Sequence, residues 1–315
     1  MSLKDFFEAI DDEVSSVLDS SFEIEIIDTK FVPNFDDPNI TYDNLDTKKK
    51  KCKRLESCVL YVDIRDSVKL SAEKQPKTLA KVYSSFVRSM IACARYYDGH
   101  VRNIIGDRVM VVFDQHDCFK KAVDTATLMN SVCQHILNVH IKSTEFKCGI
   151  GIDYGKMLIT KGGAIRQGSE KEFYRSLVWL GKPANIASRL TDLAHKTESF
   201  DTPAIHQGNY YPFTAVWNWE SKPYEQFINE LESTNSRMLK HKEEYFYTFF
   251  KTTITNTKSH SPILMTKAVY DGLKKEHPNC AYIEKDLFRK KEITVRDYSG
   301  DVYGGDAYFP DVKEI

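Results

Sequence analysis

Residues 57–64 read Ser57-Cys58-Val59-Leu60-Tyr61-Val62-Asp63-Ile64, an almost continuous apolar run of strand length that delivers one carboxylate near its end. Such a run is covered on both faces, so it predicts the buried central strand of a sheet and requires its neighbours to supply the cover. They do. Pro76 opens a helical pattern in which Leu79, Val82, Phe86, Met90, Ile91 and Ala94 recur at threes and fours, and Asp98-Gly99 supplies the stop. Residues 100–105 and 108–113 are β-prone runs joined by Gly106-Asp107, the two-residue connection of a tight hairpin, which puts Asp107 at a sheet end. A second helical face covers about 117–139. A strand at 146–152 follows, then a turn at Asp153-Tyr154-Gly155, a short strand at 157–160, a polar loop at 161–172, a strand at 174–180 and a helix over about 183–195. Strand, helix, hairpin, helix, strand in that order predicts an α+β fold, a mainly antiparallel sheet with helices packed on one face.

The first 46 residues hold thirteen acids and two bases, and Lys48, Lys49, Lys50, Lys51, Lys53 and Arg54 then follow almost without interruption. That reversal marks a boundary between an N-terminal lead, 1–54, and a domain over 55–309. Within the lead, Phe6, Phe7, Ile10, Val14, Val17 and Leu18 stand at helical spacing, a helix that packs on the body or on a second subunit. Acids on its polar face are the wrong sign for an anionic membrane. The lysine run reads as a solvated lead into the central strand. Residues 196–260, rich in Trp, Tyr, Asn and charge, read as an insertion, and 262–309 resume regular alternation, with a helix at 266–276 and strands around 293–297 and 303–309.

Lys and Arg (44) nearly balance Asp and Glu (45), so no global field draws the chain to nucleic acid. No apolar run approaches the roughly 20 residues that cross a bilayer, and the acidic N-terminus is unlike a signal peptide. A cytoplasmic protein without membrane or nucleic-acid partners is expected. Seven cysteines without a CxxC pair suit neither a disulfide framework nor zinc, and the nine histidines are read as non-ligands.

Asp63 after an apolar strand and Asp107 in a tight turn can converge on one sheet edge. Two carboxylates there hold hard cations such as Mg²⁺, and two such ions clamp phosphate oxygens during an in-line displacement. Downstream, Gly181-Lys182-Pro183 opens a helix with Asn185 and Arg189 at i and i+4, an amide and a guanidinium fork on one face, suited to a triphosphate.

The stretches YVDIRDS (61–67), NIIGDRVMVVF (103–113), GIGIDYG (149–155) and WLGKPANIASRL (179–190), in this order and at these separations, resemble the class III nucleotidyl cyclases, the catalytic domain of adenylate and guanylate cyclases. The resemblance covers about 55–195 and the closing segment 262–309, and implies the ferredoxin-like class III cyclase fold. It also implies that Asp63 and Asp107, helped by the backbone carbonyl of Ile64, hold two divalent cations per site, Mg²⁺ or Mn²⁺. Asn185 and Arg189 match the catalytic pair that orients the ribose and stabilises the α-phosphate while the 3′-hydroxyl attacks and pyrophosphate leaves. The loop through Asp66 and Ser67 would offer N–H groups to the outer phosphates, and Arg296 lies near a phosphate-contacting lysine of the family. Family members are head-to-tail dimers, which implies a homodimer with composite sites, a nucleoside triphosphate substrate, and an effector that responds to the product without binding the enzyme directly.

The base readers depart from the family. Where adenylate cyclases carry Lys and guanylate cyclases Glu, this chain has Asn103, and where adenylate cyclases have Asp or Thr it has Val178. Tyr61 stands where Phe is frequent and narrows the floor of the base pocket. An intact catalytic set with rewritten base readers resembles the bacterial pyrimidine cyclases of the Pycsar antiphage systems, which make cyclic UMP or cyclic CMP. UTP or CTP is therefore the expected substrate; an Asn amide can face either base, and donors such as Arg102 or Arg175 incline towards uracil O4. Two alternatives stay open: a divergent adenylate cyclase that reads ATP by shape, and a catalytically silent cyclase-like nucleotide sensor.

Overall fold

The computed structural model describes residues 2–141, 146–234 and 238–314. Helix α1 (Leu3–Leu18) is started by a capping box between Ser2 and Asp5 and buries none of its residues; Phe6, Phe7, Ile10 and Val14 are exposed. β1 (Glu23–Thr29) and β2 (Asp43–Asn44) precede the long central strand β3 (Lys49–Ile64). β1 lies parallel to the first half of β3 in the register Glu23↔Lys49, Glu25↔Lys51, Asp28↔Arg54. Each acid meets a base, Lys49 to Glu23 at 3.1 Å, Lys51 to Glu25 at 3.6 Å and Arg54 Nε to Asp28 at 2.6 Å. The lysine run is thus one side of a charged ladder rather than a solvated lead, and the boundary at residue 54 falls inside a strand. Exposed pairs of this kind each contribute about 0–1 kcal/mol, so their use is to fix register.

After Ile64 come α2 (Ser67–Glu73) and α3 (Pro76–Tyr96), then the hairpin β4 (His100–Ile105) and β5 (Arg108–Val112), which turns through Gly106 at φ +62°, a conformation glycine adopts freely. α4 (Cys118–Val132) continues through a π-turn at Cys133–Leu137 into α5 (Asn138–His140). β6 (Cys148–Arg166) and β7 (Ser169–Leu180) form one long hairpin, followed by α6 (Lys182–Leu193). The expected turn at 153–155 and the loop at 161–172 do not occur. Asp153 stays in the strand because its buried carboxylate accepts a 2.6 Å hydrogen bond from the Thr266 hydroxyl.

Thr197–Ser259 is a separate compact unit. It consists of β8 (Thr197–Tyr211), β9 (Val216–Pro223), α7 (Tyr224–Asn229), the small hairpin β10 (Leu231–Ser233) and β11 (Leu239–His241), and β12 (Phe246–Ser259), with β8 paired between β9 and β12. Thereafter β13 (Ile263–Thr266), α8 (Lys267–Glu276), α9 (Ala281–Glu284), β14 (Arg289–Lys291) and β15 (Val302–Gly305) rejoin the first unit. The strand expected at 293–297 is reduced to a single bridge, Val295 to Tyr298, and β15 pairs with β13 and β14 instead.

In the main sheet β4, β5, β3 and β6 pair antiparallel in that order, and β13 joins β6 in parallel. Alternate residues of β3 face opposite layers. Cys58, Leu60, Val62 and Ile64 pack with Phe86 and Met90 of α3, Val123 and Met129 of α4, and Val269 and Leu273 of α8. Val59 and Tyr61 face Met110, Met157, Ile159 and the Ala184 and Ala187 side chains of α6. Helices therefore cover both faces, not one, and α6 lies on the face that carries Tyr61. Six of the cysteines are buried and all seven are free. No helix among the described residues is long and apolar enough to cross a membrane.

Candidate active site

The seat of α6 is set by two glycines. Gly149 and Gly151 of β6 stand opposite Asp63 and Tyr61 of β3. A side-chain carbon at Gly151 would lie 2.3 Å from the Ala187 carbonyl oxygen and 2.4 Å from the Thr191 nitrogen, and one at Gly149 would lie 2.5 Å from the Ala194 carbonyl oxygen. The helix can therefore rest backbone against backbone beside the end of β3, where the Thr191 hydroxyl donates to the Tyr61 carbonyl at 3.2 Å.

Asp63 projects on this same face, two residues beyond Tyr61, and Asp107 reaches it from the β4–β5 turn. Burial and the Asp63 charge push the Asp107 carboxyl up, against the opposing pull of its own N–H and the Ser67 hydroxyl; its Oδ2 is buried without a hydrogen-bond partner. Two adjoining carboxylates with one oxygen left unpaired form a site short of positive charge, which suits hard cations. Ile64, beside Asp63, is buried, while Asp66 adopts φ +54° ahead of α2 and makes no side-chain cap.

Arg108 fills part of that deficit. Its Nε and Nη2 donate to Asp63 Oδ2 at 3.1 and 2.6 Å, its Nη1 donates to Ser188 Oγ at 2.9 Å, and Nη2 also engages Asp192 Oδ1. Arg65 stands behind it, 3.6 Å from Asp63 and donating to the Asp192 carbonyl at 3.1 Å. In the sequence Arg108 looks like an ordinary first residue of a strand; the one local signal is a cation directly after Asp107.

Asn185 and Arg189 lie on α6 but do not join this group. Asn185 is exposed, and Arg189 turns to the closing segment, where Nη1 donates to the Arg296 carbonyl at 2.5 Å and pairs with Asp297 at 2.6 Å. Arg296 itself is largely exposed, 3.7 Å from Asp297. One chain thus brings Asp63, Asp107, Ser67 and Arg108 together and leaves Asn185, Arg189 and Arg296 as a second group.

Asn103, Met110 and Tyr61 form one row across β4, β5 and β3. A bulge between Val101 and Asn103 sets Arg102 out of the row, where it donates to Asn34 Oδ1 at 3.0 Å. Burial pushes the Tyr61 phenol up. Val178 of β7 pairs with Thr160 of β6, and β7 passes close to β4. Elsewhere, Asp117, Glu276 and His277 place ligand atoms within 4.8 Å of one another, so one histidine read as a non-ligand does stand beside two carboxylates.

The adenylate and guanylate cyclase catalytic domain family matches residues 50–199. This stretch is a class III nucleotidyl cyclase domain. Similar curated proteins include a uridylate cyclase of Gulbenkiania mobilis, 28% identical over 195 residues, 58% of this chain and 69% of the relative. A uridylate cyclase of Burkholderia cepacia is 29% identical over 177 residues, 55% of this chain and 72% of the relative. A cytidylate cyclase of Staphylococcus aureus is 31% identical over 106 residues, 31% of this chain and 25% of the relative. Among solved structures, the adenylyl cyclase CyaB from P. aeruginosa superposes with a TM-score of 0.46 at 16% identity, covering 80% of this chain and 94% of that one. The superposition is loose, and the assignment of the cyclase domain rests on the sequence matches.

Proposed function

We propose that the cyclase domain converts UTP, or CTP, into the 3′,5′-cyclic monophosphate with release of pyrophosphate, as a homodimer that makes a second messenger in antiphage defence. The observation that carries the base assignment is the row Asn103–Met110–Tyr61 beside Asp63, which offers an amide where purine cyclases place a lysine or a glutamate, and a neutral phenol where Phe is frequent. Val178 on the nearby β7 adds no hydrogen-bonding group, and the named activities of the uridylate and cytidylate cyclase relatives support the same reading.

Asp63, Asp107 and the Ile64 carbonyl would hold two divalent cations, Mg²⁺ or Mn²⁺, which when bound supply the charge that lets the ribose 3′-hydroxyl ionise and pyrophosphate depart. Arg189 and Asn185 come from the second subunit. Arg189 leaves Asp297 for the α-phosphate and stabilises the charge that develops there, while Asn185 holds the ribose. The separation of the two residue groups within one chain supports this sharing. Asp66 and Ser67 would offer backbone N–H groups to the outer phosphates, and Arg296, largely exposed beside Asp297, would contact them.

Restoring purine readers tests the pocket. The double variant Asn103→Lys, Val178→Asp should lose roughly tenfold to a hundredfold in UTP and CTP turnover, because a buried partner left unpaired costs about 1–3 kcal/mol. Unchanged pyrimidine turnover in a folded double variant would remove these positions from the base pocket.

A further inference from the structure

We propose that Arg108 is a resident counter-cation: its guanidinium occupies the Asp63 carboxylate while the divalent cations are absent and must be displaced for them to bind. The proposal deepens the reading above and rests on Asp63 and Asp107 being the metal aspartates.

Three observations carry it. First, both fork nitrogens of Arg108 converge on one oxygen, Asp63 Oδ2, at 2.6 and 3.1 Å, with Arg65 at 3.6 Å from the same atom. A carboxylate oxygen has about two lone-pair directions, so Oδ2 is saturated and has no position left for a cation. Second, the guanidinium is anchored from behind by Ser188 and Asp192 of α6, and its side chain is only 26% exposed. It is therefore a fixed charge, and it keeps its α6 partners after leaving Asp63. Third, the adjoining Asp107 has no such partner and retains a buried orphan oxygen. Two touching carboxylates repel unless one is neutralised, and Arg108 neutralises Asp63 alone. Because its anchor is α6, the helix that bears Asn185 and Arg189, cation entry at Asp63 is coupled to how firmly this helix is held against β3.

Titration calorimetry of Mn²⁺ into nucleotide-free protein, with melting curves in the presence and absence of Mn²⁺, separates this role from a purely structural one. Arg108→Gln should bind Mn²⁺ about tenfold more tightly than the wild type, since no guanidinium has to be displaced. It should also melt lower without metal and recover most of that loss at saturating Mn²⁺. Arg108→Lys should fall between the two, because it keeps the charge and loses the fork. Unchanged or weaker Mn²⁺ binding by Arg108→Gln, or a melting deficit undiminished by Mn²⁺, would overturn the proposal. So would a raised KM for the nucleotide at unchanged Mn²⁺ affinity, which would make Arg108 a phosphate ligand. If the wild type and both variants bind no Mn²⁺, the metal assignment itself fails and the counter-cation role falls with it.

Discussion

Gly151→Ala is the smallest change that should move α6. The added carbon would sit 2.3 Å from the Ala187 carbonyl oxygen and 2.4 Å from the Thr191 nitrogen, about 1 Å inside van der Waals contact. Both obstructing atoms belong to the backbone of α6, so no rotamer change relieves them. The helix must withdraw from β6, loosening the packing of Ala187 and Leu190 and stretching the grip of Arg108 on Ser188 and Asp192. Overpacking of this kind costs about 1–3 kcal/mol, equivalent to roughly 3–10 °C in melting temperature for a domain of this size. The effect on rate should be larger, because a shift of about 1 Å in positioning groups can cost on the order of 10²-fold. Melting curves and initial rates of cyclic nucleotide formation measure both. Wild-type melting and wild-type rate together would show that α6 is not seated backbone to backbone on the sheet.

Asp63→Ala and Arg189→Ala proteins should each be inactive alone, yet regain activity when mixed, since one composite site of a mixed dimer keeps both intact halves; no recovery after demonstrated subunit exchange would argue against shared sites. Asp153 gives a pH signature. Burial raises its carboxyl to about 6, against the Thr266 hydroxyl, the Tyr154 N–H and Lys182, so the folded state favours the neutral acid. Its contribution to stability is complete below about pH 4 and is lost as pH rises through about 6, leaving a buried carboxylate that costs about 3 kcal/mol. Asp153→Asn, which can still accept from Thr266, should be more stable than the wild type at pH 8, with the difference shrinking towards pH 4. A difference independent of pH in chemical denaturation would contradict that account.

What the sequence made legible was local. The run into Asp63, the Gly106-Asp107 turn and the Gly181-Lys182-Pro183 helix start each carry their own instructions over a few residues, and each element forms where its pattern lies. What it hid depends on distant partners. Asp153-Tyr154-Gly155 has the composition of a turn, yet Asp153 is held in β6 by Thr266, more than a hundred residues away. Lys49, Lys51 and Arg54 look like a solvated run until Glu23, Glu25 and Asp28 arrive in parallel register. The same holds at the site: both aspartates can be read from their strand ends, but Arg108 becomes a site residue only because α6 brings Ser188 and Asp192 across the sheet.

The central claim is that an intact cyclase site has been refitted for a single-ring base. Incubating the purified protein with ATP, GTP, CTP and UTP separately, each with Mn²⁺ or Mg²⁺, and weighing the products by mass spectrometry tests it directly. The predicted result is cyclic UMP or cyclic CMP, with a specificity constant for UTP or CTP above those for both purine nucleotides. A specificity constant for ATP that equals or exceeds those for both UTP and CTP would contradict it.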